Sequence, residues 1–296
     1  MYHQPVLLDQ CLEGLNLHHS KTYLDLTFGG GGHTKKILER LDGGKVIAFD
    51  QDDDARKEAE KIQDSRLLFV QANFRYHQRY LKFYGIEKVD GILADLGISS
   101  YQIDEESRGF STRFDAPLDM RMNRKQELSA MEVVNEYSEQ QLVSILSQYG
   151  EVRNAKTLAA AILRNRPVKT TGQLLKITDA LSQAKRKYKY AAQVFQAIRI
   201  EVNQEMTALE EMLQGLPDVL NKEGRLVIMS YHSLEDRMVK NFINNGKIKG
   251  EQEKDIYGNV LRPLEPVTRK PIKADENEIN NNPRARSARL RIAKKN

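Results

Sequence analysis

An acidic residue and a run of glycines near the start of the chain have the types and spacing of a nucleotide-binding turn. A short apolar run containing Asp25 leads into four consecutive glycines, 29–32, and then into His33 and a helix-like segment. A buried strand that ends in glycines lets the backbone approach a ligand closely, and the first N–H groups of the next helix point toward that ligand. A tight strand-to-helix turn without a ligand would also fit the glycines alone.

The residues on either side of the glycines indicate which ligand to expect. A second apolar run ends at Asp50, at the distance where dinucleotide-binding folds place an acid on the ribose hydroxyls. The glycine spacing fits the pattern D-x-G-x-G-x-G better, with Asp25 as the acid and Thr27 in place of the first glycine. That pattern is typical of enzymes that use S-adenosylmethionine. Asp25 suits the ammonium group of that cofactor, whereas it would repel a pyrophosphate.

The composition excludes several other classes of protein. Of the 296 residues, 40% are hydrophobic and 29% are charged, no apolar run is long enough to span a membrane, and no signal peptide begins the chain. We therefore expect a cytoplasmic protein. The single cysteine, Cys11, excludes an internal disulfide, and the six histidines lack the spacing of metal ligands, so no metal is predicted.

Strand-like and helix-like segments alternate from residue 22 to residue 95, which predicts a parallel sheet covered by helices. The predicted strands are 22–27, 45–50, 67–71 and 89–95, and the predicted helices are 33–41, 53–63 and 74–84. Further strands at 225–230, 267–272 and 287–293 would complete a seven-stranded sheet with a terminal antiparallel hairpin. The expected fold class is α/β, with the class I, Rossmann-like methyltransferase sheet.

Helical periodicity fills the long interval between the fourth and fifth predicted strands. An ordinary crossover needs roughly thirty residues, so roughly a hundred are surplus. Apolar spacing predicts helices over 129–135, 138–149, 154–164 and 171–183, and a last helix that runs from Ala191 through Ala208. We predict a core formed by 1–106 and 207–296, with an inserted helical substrate-recognition domain at 107–206.

Candidate site residues follow the predicted strands, where open α/β sheets bind ligands. Phe74 follows the third strand, where its ring would lie against an adenine or belong to the core. Asp95 ends the fourth strand and opens a polar loop through Gln102. Tyr231 and His232 follow the fifth strand, and Ser233 is the expected cap of the next helix.

Two basic segments are candidates for contact with nucleic acid, since the net charge is +5. The last sixteen residues contain no acid, and their cations are Arg284, Arg286, Arg289, Arg291, Lys294 and Lys295. They would meet phosphates, form an edge strand that buries Leu290 and Ile292, or do both, because such a strand can bury these two residues while its arginines face a nucleic acid. Residues 185–190 interleave lysines with tyrosines, which would suit bases and phosphates or form a charged interhelical loop.

Motifs along the whole chain resemble the RsmH (MraW) family of bacterial S-adenosylmethionine-dependent methyltransferases. The matching segments are 3–8, 25–33, 95–102, 109–111, 117–122, 195–199, 230–237 and 282–288. The resemblance implies methylation of the exocyclic N4 of one cytidine in the decoding region of 16S ribosomal RNA. It implies that the cofactor is held by Gly31, Gly32, His33, Asp50, Phe74, Asp95 and Gln102, to which the glycine pattern adds Asp25.

The implied methyl transfer uses a weak nucleophile, because the lone pair of a cytosine amino group is delocalised into the ring. The enzyme must therefore increase the reactivity of this nitrogen. Asp95 is a candidate for polarising that group, although a purely cofactor-binding function is the preferred interpretation of its position. Many amino methyltransferases carry D/N-P-P-Y/F here, whereas this chain has Asp95-Leu96-Gly97-Ile98. Substrate contacts are expected from Tyr231, His232, Arg284 and Arg286, with the cytidine unstacked or flipped.

Three other functions remain compatible with these patterns. The first is a DNA amino methyltransferase, which the missing prolines and aromatic disfavour. The second is a catalytically silent ribosome-assembly RNA-binding protein with a vestigial cofactor pocket, against which the intact glycines and acids argue. The third is a nicotinamide oxidoreductase, which the acid before the glycines disfavours.

Overall fold

The computed structural model describes residues 5–296, apart from the side chain of Lys185. His3 and Gln4, which begin the first matching segment, lie outside the described residues. The described chain divides into two compact units, one formed by the chain up to Gly97 together with Met206–Asn296, and the other by Ile98–Glu205. The boundary after Gly97 lies some ten residues before the predicted one, because the polar loop after Asp95 belongs to the second unit.

The first unit is built on a seven-stranded sheet of order β3-β2-β1-β4-β5-β7-β6. Its strands are β1 Thr22–Asp25, β2 Lys45–Asp50, β3 Leu67–Gln71, β4 Val89–Asp95, β5 Leu220–Ser230, β6 Leu264–Pro266 and β7 Arg289–Lys295. Strands β1 to β5 are parallel, and β7 pairs antiparallel with both β5 and β6. This arrangement confirms the predicted α/β class and the methyltransferase sheet.

Helices cover the sheet of the first unit. They are α1 Leu8–Leu15, α2 Gly32–Arg40, α3 Asp53–Ala59 and α4 His77–Phe83, and later in the chain α11 Glu205–Val219, α12 Ser233–Asn245 and α13 Glu276–Asn281, with α11 beginning one residue before the boundary. One large apolar cluster includes Leu24, Ile92 and Ile228 from the central strands, and another includes Cys11 and Leu290. Buried strands with apolar residues on both faces explain why their sequences are continuous apolar runs.

The second unit is helical. Its helices are α5 Ser100–Asp104, α6 Ala130–Glu136, α7 Glu139–Gln148, α8 Ala155–Arg164, α9 Thr171–Leu181 and α10 Lys187–Asn203. They enclose a separate apolar cluster that includes Leu142, Leu158, Leu174 and Ile198. Ser138 caps α7 with Gln141 in a capping box. No helix among the described residues has the length and apolar character needed to cross a bilayer.

Three local predictions are wrong. The helix predicted from Ala191 through Ala208 ends at Asn203, because Gln204 adopts a left-handed conformation. Asn203 accepts a hydrogen bond from Met122 N–H and donates one to the Met120 carbonyl, which ties this helix end to a distant loop. The strand predicted at 267–272 is wrong, because the short strand β6 lies just before it, at Leu264–Pro266. His232 rather than Ser233 caps α12.

Arg289 and Arg291 of β7 bind an acid of the fold, and β7 lies between β5 and β6 rather than at the predicted edge of the sheet. Asp236 of α12 is 5% exposed and accepts hydrogen bonds from Arg291 Nε at 2.7 Å and Nη2 at 3.2 Å. Arg289 Nη1 donates to the same carboxylate at 2.9 Å. Burial raises the pKa of Asp236, but the bonds from Arg291 and Arg289 outweigh that effect, so the pKa lies below its usual range.

Asp236→Ala is expected to lower the free energy of unfolding by about 3 kcal/mol, because it leaves the buried Arg291 guanidinium without its partner. Urea denaturation followed by circular dichroism measures the change. Arg289→Ala is the control, since the Arg289 side chain is 46% exposed and its loss should cost less than about 1 kcal/mol. An unchanged denaturation midpoint for Asp236→Ala would contradict this structural function.

Candidate active site

Acidic residues end three adjacent strands of the first unit at the same edge of the sheet. Asp25 ends β1, Asp50 ends β2 and Asp95 ends β4, and these strands lie in the order β2-β1-β4. The carboxyl ends of parallel strands form the usual ligand-binding edge of open α/β folds. The structure therefore brings together three acids that are far apart in the sequence.

The glycine turn lies between β1 and α2 and contacts the end of the neighbouring strand β2. The N–H of Gly29 donates to Asp50 Oδ2 at 2.8 Å, and Gly31 caps α2 with a φ of +75°. A Cβ on Gly31 would lie 2.6 Å from the Phe28 ring, and one on Gly32 would lie 2.4 Å from the Pro5 ring. Packing alone thus accounts for glycine at both positions, and a direct contact with a ligand remains a prediction for them.

Asp25 is almost fully buried and is held by the chain around it. Its Oδ2 accepts a hydrogen bond from the Thr34 hydroxyl at 2.6 Å, and its Oδ1 accepts one from the Thr27 N–H at 3.1 Å. Burial raises the pKa of Asp25, and the hydrogen bonds from Thr34 and Thr27 oppose that rise. Asp25 therefore organises the turn and contributes a negative charge behind it.

Thr27 connects the ends of β1 and β4. Its Oγ1 accepts a hydrogen bond from the Asp95 N–H at 2.6 Å, while its own N–H donates to Asp25. Because the hydroxyl oxygen already accepts, its proton is available to the Asp25 carboxylate. Threonine in place of the first glycine of the pattern therefore fixes two of the three acids relative to each other.

Asp50 presents a carboxylate with capacity for further donors. Its Oδ2 accepts from Gly29, and its Oδ1 accepts from the Asp52 N–H at 2.9 Å. Burial raises its pKa to about 6, with the charges of Asp52 and Asp25 adding to the rise and the two backbone bonds opposing it. An ionised carboxylate has about four lone-pair sites, so two remain for a ligand.

Asp95 is paired with Tyr231, which directly follows the neighbouring strand β5. The Tyr231 hydroxyl donates to Asp95 Oδ1 at 2.8 Å. Burial raises the pKa of Asp95 to about 7, the bond from Tyr231 opposes the rise, and the charges of Asp25 and Glu235 add to it. Burial and the neighbouring Asp95 also raise the pKa of Tyr231 well above its usual value, so this hydroxyl keeps its proton.

His33 follows the glycines and is buried beside Asp95. Its Nδ1 lies 3.9 Å from Asp95 Oδ2. Burial lowers the pKa of His33 to about 4, despite the opposing effect of the Val6 carbonyl, so the ring is neutral near pH 7 and forms no ion pair with Asp95. Its Nε2 is buried and has no hydrogen-bond partner among the described residues.

The remaining predicted residues lie in several surroundings. Phe74 is half-buried and packs against the larger apolar cluster of the first unit. His232 caps α12, with its Nδ1 accepting from the Glu235 N–H at 3.3 Å, which accounts for this histidine without a ligand. Arg284 is half-buried and Arg286 is exposed in the turn before β7.

Gln102 belongs to the second unit, and its amide is used locally. Its Oε1 accepts from the Ser99 N–H at 3.0 Å, and its N–H donates to Ser99 Oγ at 3.2 Å, which forms a capping box at the start of α5. The side chain is buried. The structure gives Gln102 a function in the fold and leaves its contact with a cofactor a prediction.

Sequence reasoning missed two contributors to the carboxylate edge. Thr34 supplies the shortest bond to Asp25, and Glu235 accepts from the Tyr231 N–H at 2.9 Å. Nothing in the local pattern around Thr34 signals this bond, because its partner is nine positions away. In the sequence Glu235 looks like an ordinary acid in the first turn of a helix, and only its burial in the structure distinguishes it from one.

The acids of this edge lack basic counter-ions. Among the described residues, Asp25, Asp50 and Asp95 have no lysine or arginine within ion-pairing distance, and the only cation candidate, His33, is neutral. Buried carboxylates without counter-ions are costly. The arrangement therefore favours a ligand that brings positive charge and hydroxyl donors, as S-adenosylmethionine does, and disfavours a pyrophosphate.

Comparisons with known proteins cover the whole chain. A model of the MraW methylase family matches residues 1–296. The protein named ribosomal RNA small subunit methyltransferase H of Cytophaga hutchinsonii is 52% identical over 298 residues and covers 100% of both chains. The protein of the same name from Bacteroides thetaiotaomicron is 50% identical, covering 99% of this chain and 97% of its own.

Solved structures give a weaker similarity. A crystal structure of an rRNA methylase from Streptococcus thermophilus is 12% identical, has a TM-score of 0.43, and covers 100% of this chain and 99% of its own. The order of the strands in this chain defines its fold.

Proposed function

This chain belongs to the MraW methylase family, and from that membership we propose that it transfers a methyl group from S-adenosylmethionine to the exocyclic N4 of a cytidine in the decoding region of 16S ribosomal RNA. The observation that supports this chemistry is the cluster of acids without counter-ions at the ends of β1, β2 and β4. The proposed substrate places the enzyme in the cytoplasm, with the small ribosomal subunit or its RNA as its partner.

In the proposed complex each acid has a separate function. Asp50 accepts hydrogen bonds from the ribose hydroxyls, Asp25 and the glycine turn hold the methionine end, and Phe74 and Gln102 complete the cofactor site. The bound cofactor supplies a methyl group activated by its sulfonium. The buried negative charges stabilise that cation, while the neutral His33 adds no repulsion beside it.

Asp95 acts on the nucleophile. Its carboxylate, held by Tyr231 and Thr27, accepts a hydrogen bond from the cytosine amino group and localises the nitrogen lone pair. When the N–CH₃ bond forms and the S–CH₃ bond breaks, the amino nitrogen must lose a proton. A carboxyl group whose pKa is about 7 is suited to take it.

The second unit, Ile98–Glu205, is proposed to recognise the RNA together with Tyr231, His232, Arg284 and Arg286. Cytidine must leave its stack to reach an enclosed site, so flanking bases and phosphates need protein partners.

Transfer of radiolabel from S-adenosylmethionine to unmethylated small subunits tests the proposal, with mass-spectrometric mapping of the modified nucleotide. We expect one methylated cytidine, and no label with Asp50→Ala or Asp95→Ala. Label appearing only on DNA would indicate a DNA amino methyltransferase instead. If titration with the cofactor produces no binding heat and no thermal shift, the protein is instead a catalytically silent RNA-binding protein.

Thr27→Val is expected to raise the KM for S-adenosylmethionine about tenfold, because the buried Asp95 N–H loses its acceptor and the turn loses its connection to β4. Initial rates at varied cofactor concentration measure this. Thr27→Ser keeps the hydroxyl and should restore most of the affinity. Equal KM values for the valine and wild-type enzymes would show that the bond does not position the cofactor site.

Tyr231→Phe is expected to move the pH dependence of kcat/KM to higher pH. In the wild type only the ionised Asp95 accepts the amino proton, so kcat/KM should rise through about pH 7. The Tyr231 hydroxyl stabilises the ionised form, so its removal raises the pKa of Asp95 further.

Tyr23→Phe is the matched control for this pH profile, because the Tyr23 hydroxyl accepts a bond from the His18 N–H and is not a partner of Asp95. A rise in kcat/KM that stays in place, or moves to lower pH, in Tyr231→Phe would refute the assigned coupling.

A further inference from the structure

The segment 185–190 of the second unit concentrates positive charge at the start of a helix. Lys185, Arg186, Lys187 and Lys189 occupy four of five consecutive positions, and the first turn of α10 contains no acid. Cations near a helix N-terminus meet the positive end of the helix dipole, which costs about 0.3–1 kcal/mol each. The helix dipole therefore does not stabilise these charges where they lie.

The two tyrosines of the segment have opposite surroundings. Tyr190 is half-buried, packs against the apolar cluster of the second unit, and donates a hydrogen bond to Asn154 Oδ1 at 2.9 Å. Tyr188 is 92% exposed. Two positions along an α-helix place side chains about 200° apart. The structure thus explains Tyr190 as part of the fold and gives Tyr188 no function within it.

The charges around Tyr188 are only partly compensated. Lys187 Nζ lies 3.7 Å from Asp179 Oδ2, and both side chains are nearly half exposed, so this pair is weak. Arg186 and Lys189 are exposed, and their side chains have no hydrogen bond or ion pair among the described residues. An exposed aromatic ring and two exposed, uncompensated cations therefore occur within four consecutive positions, 186–189.

We propose that residues 186–189 form a docking surface for single-stranded RNA, with Tyr188 stacked on an unpaired base and Arg186 and Lys189 on phosphates. This inference rests on the proposed RNA substrate and assigns part of its recognition. An acidic protein surface would pair with the cations, but its carboxylates offer no stacking partner for the exposed ring of Tyr188. A single strand offers both a negative backbone and flat bases, which is the combination these side chains fit.

Fluorescence anisotropy with a labelled single-stranded RNA oligonucleotide and the full chain tests the surface. Tyr188→Ala is expected to weaken binding about tenfold, and Tyr188→Phe, which keeps the ring, should bind as the wild type does. Tyr190→Phe is the control for a tyrosine inside the fold and should leave the Kd unchanged. Because Tyr188 is so exposed, its replacement should not alter the denaturation midpoint.

Salt dependence tests the charges separately. Arg186→Gln/Lys189→Gln should reduce the slope of log K against log salt by about 1.4, since each phosphate contact on a single strand contributes about 0.7. The matched control, Arg56→Gln/Lys61→Gln, removes the same two charges from α3 and its C-terminal end in the first unit and should leave the slope unchanged. A Tyr188→Ala variant within twofold of the wild-type Kd, or equal slopes for both double variants, would overturn the surface.

Methyl transfer distinguishes failure of this surface from failure of the proposed function. Tyr188→Ala should raise the KM for RNA while kcat at saturating RNA stays unchanged. A wild-type enzyme that methylates RNA together with a Tyr188→Ala variant of unchanged KM would refute only the docking surface. Absence of methylation by the wild type would refute the proposed function itself.

Discussion

Asp95→Asn is expected to lower kcat for methyl transfer at least about a hundredfold, while the affinity for S-adenosylmethionine changes much less. Asparagine keeps the size of the side chain and can still meet the Tyr231 hydroxyl, but it cannot take the amino proton. Proton acceptors positioned at the reacting atom contribute typically 10²- to 10⁴-fold. Single-turnover measurements with unmethylated small subunits give kcat free of product release.

The control for Asp95→Asn is Asp90→Asn. Asp90 lies on the same strand, near its opposite end, where it accepts hydrogen bonds from the Thr22 N–H and Asn221. The Asp90→Asn substitution should leave kcat unchanged. If Asp95→Asn keeps full kcat and raises only the KM for the cofactor, then Asp95 binds the cofactor and is not the proton acceptor.

Asp50→Asn is expected to raise the Kd for S-adenosylmethionine about a hundredfold, with little effect on kcat at saturating cofactor. Hydrogen bonds to a charged group contribute about 1.5–3 kcal/mol each, so losing the charge that receives two ribose hydroxyls accounts for that factor. Isothermal titration calorimetry in the absence of RNA measures it directly.

Asp54→Asn is the matched control, since this residue lies four positions later and pairs with Lys57 on the surface of α3. Its cofactor affinity should equal that of the wild type. Unchanged affinity in Asp50→Asn would remove Asp50 from the cofactor site. The two aspartates of the site are thus separable, because one substitution is expected to change binding and the other the rate.

The regular part of the first unit was predictable because each buried strand carries its own signal. The runs at 45–50, 67–71 and 89–95 coincide with β2, β3 and β4. β2 and β4 are largely buried, and strands buried on both faces are continuous apolar runs. The family and the identity of the strand-end acids followed from short motifs. These motifs are local, so a single sequence contains them in full.

The errors occur where a partner distant in the sequence decides the local structure. The break at Gln204 contains neither glycine nor proline, and it follows the bonds that Asn203 makes to residues more than eighty positions away. Asp236 looks like an ordinary first-turn acid until Arg291, 55 positions later, lies against it. His232 replaces Ser233 as the cap because Glu235 is turned inward to meet the backbone of Tyr231.

The insertion also has a consequence for how the chain folds. β4 and β5 are neighbours in the sheet, but the residues that pair between them are far apart in the sequence. Val89 pairs with Leu220, and Asp95 pairs with Met229. The entropy lost on closing a loop grows with its length, and folding slows as contacts become less local. Residues 98–205 form one continuous stretch of chain with an apolar cluster of its own, so we expect them to fold early. Pairing of β4 with β5 would then be the slow step that assembles the carboxylate edge, and the enzyme would acquire its second unit before its first.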